Sequence, residues 1–127
     1  MFNVIHFDYN APAAVGTKDF LEWSFRNISE VDYQDFGPVL DYTKEIKNLE
    51  LLLPQKDLLL IHPGIKSQRA VYEYPSRFPH LDVALLIPEM IEKYDPENNV
   101  KLFCWGNIEE VVDYILKSVF SNLPEKN

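Results

Sequence analysis

At 127 residues and 14.9 kDa the chain has the length of one domain. Its 46% hydrophobic, 13% aromatic and 25% charged content excludes a disordered or collagen-like polymer. Twelve Lys and Arg against twenty Asp and Glu leave a net charge of −8, the wrong sign for nucleic acid or an anionic membrane surface as a partner.

Phe2 to Phe7 reads as a first strand, apolar apart from His6, which is expected to be a satisfied core histidine. Asp8 to Pro12 is turn chemistry. Thr17 is placed to cap a helix running to about Asn27, with Phe20, Leu21, Phe25 and Ile28 on one stripe. Val31 to Phe36 alternates as a half-exposed strand does, and Gly37-Pro38 breaks it. Asp41 or Thr43 then caps a second helix, whose Ile46, Leu49 and Leu53 recur at helical spacing up to Pro54.

Leu58-Leu59-Leu60-Ile61 is a bare apolar run, the pattern of a parallel strand buried on both faces. His62-Pro63-Gly64 forms a loop. A third helix covers part of Lys66 to Tyr74, with Pro75 and Pro79 bounding an irregular stretch. Leu81 to Ile87 is a further buried strand. Pro88 opens a short helix that ends before Pro96, and Val100 to Trp105 is the last strand. The closing helix is the clearest element. Ile108, Val111, Val112, Ile115, Leu116, Val119 and Phe120 keep one face, with Asn107 as cap and Glu110 in the capping-box position. Leu123 to Asn127 is expected to fray.

Five strands alternating with helices predict a three-layer α/β domain over residues 1–122, with a parallel sheet in the order 2-1-3-4-5. In such sheets ligands bind outside the carboxyl ends of the strands. The candidate pocket residues are therefore Asp8, Asn10, His62, Glu89 and Asn107. The four glycines form neither GxGxxG nor a P-loop, so no nucleotide cofactor is expected. Cys104 is the only cysteine, which excludes an internal disulfide and suits a reducing compartment. No zinc spacing and no other metal site is apparent. The first residues lack the pattern of a signal peptide, and no apolar run is long enough to span a bilayer, so a cytoplasmic location is expected.

Glu45 to Ile61, with Leu49, Leu52, Pro54 and the run Asp57-Leu58-Leu59-Leu60-Ile61, resembles the second helix and third strand of receiver domains of two-component response regulators. The resemblance implies a flavodoxin-like fold and a phosphoaccepting aspartate at the next position, where this chain has His62. It matches Asp8 to one acidic residue of the family's metal-binding pair, but Phe7 and Tyr9 flank it. The family's hydroxyl position falls near Ile87 and its lysine near Cys104 or Trp105. Phosphoryl transfer needs clustered carboxylates for Mg²⁺, a nucleophilic carboxylate and a cation to hold the new charge. With those groups replaced, a non-catalytic pseudo-receiver is expected, a regulatory module that binds a protein partner or a second copy of itself. Tyr94, Phe103, Trp105 and Tyr114 are the expected interaction face. The alternative is a small flavodoxin-like enzyme or ligand-binding protein built around Asp8, His62 and Asn107.

Overall fold

The structure, a computed structural model, describes residues 1–8, 11–36, 42–62, 68–88 and 93–120. Its elements are β1 (Phe2–Asp8), α1 (Ala11–Phe25), β2 (Val31–Asp35), α2 (Tyr42–Leu52), β3 (Leu58–His62) and α3 (Gln68–Arg77). They continue with β4 (Asp82–Ile87), β5 (Tyr94–Asp95), β6 (Val100–Cys104) and α4 (Glu109–Phe120). Short 3₁₀ turns lie at Leu53–Gln55 and Trp105–Asn107.

The apolar runs dictate the sheet. Leu58, Leu59, Leu60 and Ile61 are all fully buried, because β3 lies between β1 and β4 and is covered on both faces. Each such side chain contributes about 1.5–3 kcal/mol of transfer free energy. Alternation sends Ile5, Phe7, Leu59 and Ile61 to one core, where they meet Leu49 of α2 and Val71 and Tyr74 of α3. Val4, Leu58, Leu60, Leu86 and Phe103 go to the other, beneath Leu21 of α1 and Val111 and Ile115 of α4. Asp57 ties the amino ends of the strands together. Its carboxylate accepts from the Asn3 amide at 2.8 Å, and its carbonyl accepts from the Asp82 amide at 2.9 Å.

Among the described residues the sheet has six strands in the order β2-β1-β3-β4-β6-β5, not five in the order 2-1-3-4-5. Four pairings are parallel, and β5 with β6 is antiparallel. The extra strand takes the place of the end of the helix expected from Pro88 to before Pro96; residues 89–92 lie outside the described residues. Turn chemistry beats helix pattern here. The Asp95 carboxylate accepts from the Asn98 amide and side chain, the Tyr94 hydroxyl donates to Asn99 Oδ1, and Asn99 takes a φ of 54°. Asparagine tolerates that left-handed backbone better than most residues, which closes a tight hairpin. Two residues are too few to show a strand period, so β5 left no mark in the sequence.

Three helix boundaries also differ from expectation. α1 begins at Ala11 rather than after Thr17, because the alanines favour helix and Pro12 is tolerated in a first turn; Thr17 is a buried residue inside the helix, not its cap. α3 continues through Pro75 to Arg77, carried by the buried stripe Val71, Tyr74 and partly buried Phe78. Asn107 sits inside a 3₁₀ turn rather than immediately before α4. The expected cap at Asp41 and the tail from Leu123 fall outside the described residues.

Candidate functional site

The strand ends that the topology makes available are Asp8 and His62, which are register partners at the carboxyl ends of β1 and β3. Parity places Val4-His6-Asp8, Val31-Tyr33-Asp35 and Leu58-Leu60-His62 on the α1/α4 face, where the register sets His6 beside Asp35 and Asp8 beside His62. The result is a compact polar layer at the top of an apolar core.

His6 is its centre and is fully buried, as expected of a core histidine, but it is not fully satisfied, since its Nε2 has no hydrogen-bond partner among the described residues. Its Nδ1 lies 2.7 Å from the Tyr33 hydroxyl and 3.5 Å from Asp35 Oδ1, and its Nε2 lies 3.6 Å from Asp8 Oδ2. Asp8 is fully buried and the Asp35 side chain nearly so. Lys18 of α1 adds a cation, with Nζ 4.0 Å from Asp35 and 3.9 Å from Glu22. Burial pushes the Tyr33 phenol far above its ordinary value, and the nearby Asp35, Glu22, Asp8 and Asp19 carboxylates push it further.

His62 is engaged differently. Its Nδ1 lies 2.7 Å from the Leu86 carbonyl, which can only accept, so the ring donates from Nδ1. The Trp105 ring packs against it with centroids 4.4 Å apart. The Trp105 indole N–H is buried and has no hydrogen-bond partner among the described residues. Beside this cap, the Cys104 thiol donates to the Pro88 carbonyl at 3.2 Å.

Of the expected pocket residues, the structure brings Asp8 and His62 together. Asn107 is exposed in the 3₁₀ turn. Asn10 and Glu89 lie outside the described residues. Tyr33, Asp35 and Lys18 belong to the same layer and were not singled out from the sequence, although the alternation Val31-Tyr33-Asp35 carries the signal. Clefts of about 230, 480 and 540 Å³ occur elsewhere: between α1 and β2, at the amino end of the sheet near Asp57, and between α3 and the β5–β6 hairpin. Neither Asp8 nor His62 lines any of these three. Among the described residues, no three His, Cys, Asp or Glu side chains are grouped to hold a metal ion.

The expected interaction face is altered. Phe103 is buried under α4, with its ring 5.8 Å from that of Tyr114, because β6 is flanked by β5 and covered by a helix. The Tyr114 hydroxyl donates to Asp82, and burial together with that bond pushes its phenol up. Trp105 is half-buried over His62, and only Tyr94 of the four is well exposed. No described helix is long and apolar enough to cross a membrane.

The two raised phenols give a pH expectation. In the unfolded chain both tyrosines ionise near their ordinary value of 10, whereas the folded chain keeps the protons to higher pH. Their stabilisation is therefore complete below about pH 10 and is lost as pH rises beyond it. Urea midpoints should fall on the alkaline side, and Tyr33→Phe or Tyr114→Phe should make that fall shallower.

No protein-family model matches the chain, and no characterised protein matches it in sequence. Solved structures do match its fold. A protein classed as a lipoprotein from Peptoclostridium difficile 630 aligns with a TM-score of 0.66 at 12% identity, over 94% of this chain and 99% of that one. A pilus assembly-related protein from Burkholderia pseudomallei K96243 gives 0.64 at 14% identity, over 100% and 95%. A type II dehydroquinase from Butyrivibrio crossotus DSM 2876 gives 0.54 at 10% identity, over 90% and 94%. At such identities the likeness defines the class alone: a layered α/β domain with a mostly parallel sheet.

Proposed function

We propose that the chain is a non-catalytic regulatory domain of pseudo-receiver type, with flavodoxin-like layering, that acts in the cytoplasm by binding a protein partner or a second copy of itself. One observation carries the reading. The end of the third strand, which receiver-like order gives to a phosphoaccepting carboxylate, holds His62, whose ring is tied to the Leu86 carbonyl and covered by Trp105. The remaining substitutions support it. Ile87 supplies no hydroxyl, neither Cys104 nor Trp105 supplies a cation, and Asp8 lies beside His6 in a buried layer.

The rival, a small enzyme or ligand-binding protein, draws on the register pairing of Asp8 with His62. It needs a pocket shared with Asn107, which is exposed. Adding phosphorylated and carboxylate-bearing metabolites to the isotope-labelled protein separates the two. The ring resonances of His62 and Trp105 should stay in place; saturable shifts at both would favour the rival.

A further inference from the structure

Among the described residues β2 ends the sheet on its side, and it is the longer of the two edges, since the opposite edge is the two-residue β5. Its backbone has a defined polarity. The Phe2 amide donates to the Glu30 carbonyl, and the Phe36 amide donates to the His6 carbonyl, so even-numbered residues bond toward β1. Val31, Tyr33 and Asp35 then direct their peptide groups outward. The Val31 amide is already used, donating to the Ile28 carbonyl at 3.2 Å. Tyr33 therefore presents the mid-strand donor and acceptor of this edge, the arrangement that strand addition exploits.

Beside the edge runs a groove of about 230 Å³ between α1 and β2. Phe25 and Val31 give it an apolar floor, and Glu22, Arg26 and Asp32 stand on its rim. Trp23, 62% exposed, lies next to it with the Arg26 guanidinium 5.7 Å from its ring centroid. The surrounding charge is acidic. Asp19, Glu22, Glu30 and Asp32 are exposed here, whereas Lys18 is already shared between Glu22 and Asp35. The same field acts on the Tyr33 phenol. A second copy would bring the same carboxylates, on a chain of net charge −8, against this edge, and like charges repel.

We infer that the outer edge of β2 receives an extended segment of a partner protein in which apolar and basic residues alternate. The segment adds as a strand at Tyr33. Its apolar side chains enter the groove over Phe25 and Val31, and its Lys or Arg side chains, on the opposite face, meet Asp32, while Glu22 on the groove rim adds to the acidic field. Period-two alternation makes this division possible, because successive side chains point to opposite faces. The inference rests on the reading of the domain as a protein-binding module and names its partner class.

The test uses the full chain, isotope-labelled, with a peptide of about ten residues alternating Val and Lys, and a counterpart with Glu for Lys. The basic peptide should shift amides from Glu22 to Asp35 and slow exchange of the Tyr33 amide by about fivefold or more. The acidic peptide should do neither. Glu22→Lys combined with Asp32→Lys, both on exposed side chains, should weaken binding by about tenfold, and Trp23→Ala should weaken it without charge reversal. Absence of shifts, shifts confined to other surfaces, or equal binding of both peptides overturns the edge assignment. Shifts confined to other surfaces leave the module reading standing. Phosphoryl uptake from acetyl phosphate overturns the module reading and leaves the edge assignment intact.

Discussion

Phe7→Ala is expected to lower the unfolding free energy by about 3–5 kcal/mol, the range for deleting a fully buried aromatic ring. Phe7 has no exposed surface and sits in β1, the strand that β2 and β3 flank. Its ring packs against Phe36 with centroids 5.1 Å apart, in the core that α2 and α3 cover. Close-packed interiors relax only partly around such a void, so the transfer loss and the cavity add. Phe7 also directly precedes Asp8, so local loosening should spread to the polar layer. Urea unfolding followed by far-ultraviolet circular dichroism measures the change; a loss under about 1 kcal/mol would mean that Phe7 is not enclosed in the core.

The second large effect is expected at His6. His6→Ala removes the group that faces the Tyr33 hydroxyl and stands between the Asp8 and Asp35 carboxylates. Depriving buried polar groups of a partner costs about 1–3 kcal/mol, and the lost ring adds a cavity. His6→Phe fills much of that space without restoring the polar contacts. If the layer is held by polar pairing, His6→Phe should remain destabilised by at least about 1 kcal/mol. If shape alone matters, it should approach the parent stability. Comparing the two variants by urea midpoint separates these causes.

The sequence made much of the frame legible, for definite reasons. Leu58 to Ile61 reads as a doubly covered strand because only the middle of a parallel sheet keeps four successive apolar residues dry. The closing helix reads clearly because Val111 and Ile115 recur at helical spacing and are both fully buried. The sixth strand did not read at all, since a two-residue antiparallel pair depends on a turn made by Asp95, Asn98 and Asn99 rather than on periodicity. The chain continues in helix through Pro75 for a related reason: a buried stripe outweighed one missing donor.

At the candidate site the limit was different. Asp8 and His62 could be picked out because each ends an apolar run, and strand ends are where sheets of this kind place chemistry. Tyr33 and Asp35 were read only as the alternation of a half-exposed strand. Their role depends on β2 lying next to β1 in a register that sets Asp35 opposite His6, which no local pattern encodes. Phe103 reads as a surface group because the order 2-1-3-4-5 leaves the last parallel strand at the edge, whereas β5 lies outside it.

The central claim of the proposed function is that the end of β3, where a histidine is covered by tryptophan, performs no phosphoryl transfer. Intact mass spectrometry after incubation with acetyl phosphate and Mg²⁺ tests it most directly. The parent chain should show no added phosphoryl group, either at neutral pH or after gentle quenching that preserves phosphohistidine. A stoichiometric phosphoryl adduct on His62, Asp8 or any other side chain would contradict the account.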